Sequence, residues 1–104
     1  MKKTDAYRAQ EGEATDKLIH EMLFGELNGI ECPPYSSSNQ EASRVLRQLK
    51  RNFKTSIVTG RTQSRLKPYF ARYGTDVSTS TEVLAETLAL AICRLALLLL
   101  QRDK

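Results

Sequence analysis

The chain has 104 residues, of which 40% are hydrophobic and 27% charged, and it carries a net charge of +4. This composition excludes a wholly disordered chain, and this length fits one hydrophobic core but not a second domain. We therefore expect a single domain that folds alone or as an oligomer.

The first 13 residues are polar and lack apolar periodicity, so we expect a loose N-terminal arm followed by one domain over residues 14–104. No apolar stretch follows the first lysines, which argues against a signal peptide and favours the cytoplasm. The apolar run 88–100 contains Arg94 and is shorter than the roughly 20 residues that a membrane span needs. Cys32 and Cys93 are far apart in sequence and are expected to be free thiols.

Two helices are predicted before any strand. The first covers residues 14–24, where apolar side chains recur on one side of a helical wheel, His20 lies on the exposed side, and Gly25 supplies a left-handed stop. The second begins at the capping box formed by Ser38 and Glu41 and ends near Arg51.

A β-hairpin is predicted from strand-forming residues at 53–59 and 65–73, with a turn at 60–64. Pro68 lacks an amide donor, so the second strand is expected at a sheet edge or with that position turned outward. Residues 76–80 are a candidate third strand. The fold class is therefore α+β, with two helices, two or three antiparallel strands and a last helix.

The last helix is predicted to start between residues 81 and 87, because Thr79 with Glu82 and Thr87 alone are both plausible caps. It ends near Gln101. Its leucines point in nearly every direction, and only Thr87, Arg94 and Gln101 mark a polar line. We expect the sheet and the other helices to enclose it. A homodimer is the alternative, with an interface at Leu90, Leu97 and Leu98.

Three stretches in this order resemble the phage ABA sandwich domain, a family of small phage and prophage proteins. They are residues 16–25 (DKLIHEMLFG), 33–37 (PPYSS) and 86–97 (ETLALAICRLAL). The resemblance implies two helices, a small antiparallel sheet and a final helix. It implies no catalytic activity, but it favours a small phage protein that acts by binding.

Catalytic and metal sites are not expected. The single histidine is predicted to face solvent, far from a nucleophile, and the cysteines lack the spacing of a zinc site. Acidic residues cluster at predicted helix starts, where carboxylates complement the helix dipole. We therefore expect no cofactor and no enzymatic activity.

The strongest functional signal is the segment 44–72, which carries nine basic residues and no acidic residue. The segment carries +9 and the whole chain +4, so the remaining residues sum to −5. Its members are Arg44, Arg47, Lys50, Arg51, Lys54, Arg61, Arg65, Lys67 and Arg72.

On the second helix, Arg44, Arg47 and Arg51 lie opposite the apolar face and are predicted to form an exposed ridge. If the hairpin packs beside this ridge, its cations extend the basic surface and aromatic residues become available for stacking on bases. Those aromatics are Tyr69, Phe70 and Tyr73. The competing interpretation is a solvated face that pairs with the chain's own acidic ends, with the aromatics in the core.

Two functional hypotheses follow. The first is a phage protein that binds an acidic protein surface and inhibits a host defence or nucleic-acid-processing complex, which would make it a candidate anti-CRISPR protein. The second is direct binding of DNA or RNA through residues 44–72. A small-molecule binder or enzyme is a third, weaker alternative.

Overall fold

The computed structural model describes residues 9–25, 31–53, 56–74 and 81–102, and these form an α+β fold. An antiparallel sheet of three strands follows two helices and precedes a third. The elements are α1 (Glu13–Leu23), α2 (Asn39–Phe53), β1 (Ile57–Arg61), β2 (Tyr69–Tyr73), β3 (Thr81–Ala85) and α3 (Leu88–Arg102).

Helix α1 ends as its sequence predicts. Gly25 has a φ of 101° and its amide donates to the carbonyl oxygen of His20 at 2.9 Å, which closes the last turn. Ile19 and Leu23 are buried on the inner side of the helix.

The N-terminal arm is not loose throughout. Ala9 is buried, and the carbonyl oxygen of Gln10 accepts a hydrogen bond from the Thr15 hydroxyl at 2.6 Å. The end of the predicted arm is therefore attached to the domain at Ala9 and Gly12, whose amide donates to the Ser36 hydroxyl, while the first part of the arm lies outside the described residues.

Helix α2 has the predicted start and a later end. The Ser38 hydroxyl accepts a hydrogen bond from the Glu41 amide at 3.3 Å, as an N-cap does. The helix continues to Phe53, whose ring contacts that of Tyr73 edge-on at 5.9 Å. Phe53 therefore belongs to the helix and not to the first strand, which begins at Ile57.

Strand β2 is the central strand, so the edge position, one of the two alternatives predicted from Pro68, is wrong. The sheet order is β1-β2-β3, and both neighbours are antiparallel. The strand begins at Tyr69, one residue after the proline, and the Pro68 carbonyl oxygen accepts the Thr62 amide at 2.7 Å. Because Pro68 lies in the turn, the ladder needs no donor from it.

The third strand lies at Thr81–Ala85, whereas the predicted segment 76–80 falls outside the described residues. Glu82 is part of this strand, so the helix start that used it as a capping residue is wrong. Thr87 is the cap of α3, and its hydroxyl accepts the Leu90 amide at 3.1 Å. Asn39 adds a second acceptor, for the Ala89 amide at 3.1 Å.

Helix α3 is the middle layer of the molecule. It packs on the sheet through one side, while α1 and α2 cover the other. Every residue from 89 to 99 is buried, so the expectation of an enclosed helix is confirmed. Leu90, Leu97 and Leu98 are 3%, 0% and 0% exposed, and the prediction of an oligomer interface at these three leucines is therefore wrong.

Arg94 is a cation inside this middle layer, with only 2% of its surface exposed. Its Nε donates to the Ala9 carbonyl oxygen and its Nη1 to the Leu84 carbonyl oxygen, each at 2.8 Å. Nη2 lies 3.7 Å from the Glu86 carboxylate. The buried charge is thus compensated, and it joins α3 to β3 and to the N-terminal segment.

Replacing Arg94 tests this connection. We expect Arg94→Ala to lower the free energy of unfolding by about 2–5 kcal/mol, because one buried and one partly buried carbonyl oxygen lose their donor and a cavity remains. Denaturant unfolding monitored by circular dichroism measures the loss. Glu86→Gln is the control and should cost less than about 1 kcal/mol, since that carboxylate is half exposed. Equal losses for the two variants would contradict the assignment.

Candidate functional site

Helix α2 displays its basic residues to solvent. Ala42, Val45 and Leu49 are fully buried on the inner side of the helix. The opposite side carries exposed cations, as the helical wheel predicts. These are Arg44, Arg47, Lys50 and Arg51.

The three arginines of this set, Arg44, Arg47 and Arg51, line a shallow groove of about 200 Å³. Gln48 lies between them, and Phe24, just past the end of α1, forms another part of the wall. The groove therefore combines guanidinium groups with one aromatic ring. The sequence analysis placed Phe24 at the end of the first helix, beside the Gly25 helix stop, but did not predict it as a site residue.

The positive charge of the groove is only partly compensated. Arg44 forms an ion pair with Glu41 at 3.0 Å, one turn earlier on the same helix. Its side chain remains 55% exposed, and such pairs typically contribute less than about 1 kcal/mol. Within the described ranges, no carboxylate lies within ion-pair distance of Arg47 or Arg51. These two guanidinium groups are available to an anionic ligand.

An aromatic cluster supports Phe24 from behind. Its ring stacks on Tyr35 at 5.6 Å with an interplanar angle of 16°, and the His20 ring lies 5.5 Å away. His20 Nδ1 is 2.8 Å from the Tyr35 hydroxyl. The prediction that His20 faces solvent is therefore wrong, because the loop after residue 30 folds back and half-buries it.

A buried carboxylate holds that loop in place. Asp16 accepts a hydrogen bond from the Ser36 amide at 2.7 Å, and the Ser36 hydroxyl accepts one from the Gly12 amide at 2.8 Å. Tyr35 is consequently fixed between α1 and α2 and is fully buried. Burial raises the pKa of its phenol, and the nearby Arg44 guanidinium opposes that shift. Sequence reasoning explained the acidic residues at helix starts by the helix dipole and missed this contact of Asp16.

The basic residues of the hairpin form a separate group. Arg61 is at the end of β1, and the exposed Arg65 and Lys67 are in the following loop, on the other side of the α3 layer from α2. The expectation of one continuous basic surface is therefore wrong. Lys54 lies outside the described residues.

Arg72 contributes little positive charge to either group. It points to the outer side of the sheet, where its Nε is 3.3 Å from the Glu82 carboxylate. Tyr69 and Tyr73 are partly buried and pack against the core, and the Arg61 guanidinium lies 5.5 Å from the centre of the Tyr69 ring. These two tyrosines do not form the stacking surface that was expected.

Both cysteines are free thiols, Cys93 buried and Cys32 partly buried. Burial raises the pKa of Cys93 strongly and that of Cys32 to a smaller extent, so neither is activated as a nucleophile. In the part of the chain that the structure describes, no three His, Cys, Asp or Glu side chains are grouped as metal ligands. No helix of that part combines the length and apolar character needed to cross a membrane.

Comparison with known proteins shows a similarity in fold to a solved structure. No family model and no curated protein matches the sequence. The fold is similar to the crystal structure of a phage protein from Bacillus cereus ATCC 14579, with a TM-score of 0.62 and 23% sequence identity. The match covers 93% of this chain and 85% of that chain. A likeness at this identity establishes a shared fold, and the resemblance to the phage ABA sandwich domain stays a prediction.

Proposed function

We propose that this chain is a phage-encoded, non-enzymatic binding protein that acts in the host cytoplasm. Its exposed arginine face on α2 docks on an acidic surface of a host defence or nucleic-acid-processing complex and inhibits that complex stoichiometrically. The observation that carries this proposal is the groove in which Arg47 and Arg51 lack a carboxylate of the described chain. The fold shared with a Bacillus cereus phage protein supports the phage origin.

The composition of the groove favours binding over catalysis. Arginine stays protonated in proteins, and the side chains of Gln48 and Phe24 do not titrate. The described residues of the groove wall therefore offer no general base or nucleophile at neutral pH. Guanidinium groups instead form paired hydrogen bonds with carboxylates, which suits recognition of aspartate and glutamate side chains.

The geometry also favours a rigid docking surface. The apolar side of α2 is fully buried, and its first turn is capped by Ser38. Phe24 is held by the stacked Tyr35 ring. The backbone that carries the arginine face therefore changes little on binding, so little backbone conformational entropy is lost.

Substitution of two arginines tests the proposal. We expect Arg47→Ala/Arg51→Ala to weaken target binding by at least about tenfold, because each lost charged hydrogen bond contributes roughly 1.5–3 kcal/mol. Tagged protein is used to capture the target from infected cells after nuclease treatment. The captured complex is then identified, and its affinity for each variant is measured by calorimetry.

Arg65→Ala/Lys67→Ala is the matched control, since it removes the same charge from the hairpin loop. The proposal requires that this control keep both affinity and inhibition of the host complex. Equal affinities for wild-type protein and the α2 variant would contradict it, as would target capture without any effect on the complex.

A second candidate function is direct binding of single-stranded nucleic acid, and Phe24 is the observation that favours it. An aromatic ring beside arginines provides both a surface for base stacking and contacts for phosphates. In this case nuclease treatment would remove the captured material.

The Phe24→Ala variant tests this second function. It should weaken binding of a labelled oligonucleotide of about 12 residues by roughly 1–3 kcal/mol, because one stacked base is lost. Fluorescence anisotropy over a salt series measures the affinity, and Arg47→Ala/Arg51→Ala should flatten the salt dependence. Binding that is insensitive to Phe24 and to salt would exclude this function.

A further inference from the structure

The outer face of the sheet carries exposed apolar side chains. Residues alternate along a strand, so Ile57, Ala71 and Val83 face α3 and their neighbours face outward. The outward set forms two cross-strand rows, Val58–Arg72–Glu82 and Gly60–Phe70–Leu84. Within the described ranges, three large apolar residues are exposed, and two of them, Val58 at 47% and Leu84 at 38%, are on this face. The third, Leu66, is in the β1–β2 loop.

The face is flat as well as apolar. Gly60 has no side chain, and the Phe70 ring occupies the space above it. A Cβ atom at position 60 would lie 2.8 Å from Phe70 Cε1. The ring is therefore laid across β1 instead of projecting into solvent. A flat surface of this kind can pack closely against another sheet, as in stacked β-sandwich layers.

The charges of the face cancel each other. Arg72 and Glu82 are cross-strand partners and form an ion pair at 3.3 Å. The Arg72 guanidinium also lies 5.1 Å from the centre of the Phe70 ring. Because the described residues of this face include one cation and one anion, an acidic protein or a polyanion is not drawn to it, whereas an identical face is not repelled.

We infer that a second copy of this chain packs on the outer face of the sheet and forms a two-fold dimer. The two-fold axis lies in the plane between the two faces and runs perpendicular to the strands. It places the Val58–Arg72–Glu82 row of one copy over the Gly60–Phe70–Leu84 row of the other. Such an interface is self-complementary, since each Arg72 then meets the second copy's Phe70 ring.

The same axis separates the positive charge of the two copies. It directs the β1–β2 loops, with Arg65 and Lys67, to opposite ends of the dimer. The arginine face of α2 lies on the far side of each copy and stays open. Each copy carries +4 overall, so added salt should strengthen the association by screening the remaining repulsion.

Sedimentation equilibrium on the full chain tests the inference. We expect a monomer–dimer equilibrium with a dissociation constant below about 1 mM, and tighter association at higher salt. Val58→Asp/Leu84→Asp should weaken dimerisation by at least about tenfold, because four carboxylates enter one apolar interface. Arg65→Ala/Lys67→Ala lowers the net charge equally and should leave dimerisation at least as strong as in the wild type.

Val58→Thr/Leu84→Thr provides a milder variant that keeps strand-forming side chains, and it should also weaken the dimer. Thermal melting verifies that each variant is folded. A monomer at every concentration and salt level would overturn the inference and would indicate that a different protein covers this face. A dimer that neither the aspartate nor the threonine variant weakens, or one that salt dissociates, would also overturn it.

Discussion

Enclosure of α3 is the constraint on which the rest of this structure depends. The helix has apolar side chains around most of its circumference, so one covering layer cannot remove them from water. The sheet covers one side, and α1 and α2 cover the other. Arg94 is the exception inside this layer, and its hydrogen bonds to Ala9 and Leu84 convert a buried charge into a link between α3, β3 and the N-terminal segment.

This layering separates the surfaces that remain for function. On the outer side of α2, Arg47 and Arg51 have no carboxylate within ion-pair distance among the described residues. The outer side of the sheet is apolar, and its Arg72 and Glu82 charges balance. The cations of the β1–β2 loop form a third surface, which the α3 layer separates from α2. We propose an anionic target for the α2 surface and a copy of the same chain for the sheet surface, and α3 lies between the two surfaces.

Local signals in the sequence predicted local features. Ser38 and Glu41 marked the start of α2, Gly25 marked the end of α1, and the surplus of leucines indicated an enclosed last helix. Contacts between distant segments were not predictable in this way. The hydrogen bond from the Ser36 amide to Asp16 and the cluster of His20, Phe24 and Tyr35 form only when the loop before α2 packs on α1. Pro68 was misread because the turn that places it outside the ladder depends on Thr62.

Native-state hydrogen exchange measured residue by residue tests the enclosed α3 layer most directly. The account predicts that amides between Ala91 and Leu99 exchange only through global unfolding, with free energies equal to that from denaturant unfolding. The amides of α2 on the solvent side should open at lower free energies. Exchange of the α3 amides at free energies well below the global value, or faster than those of α2, would contradict the central position of this helix.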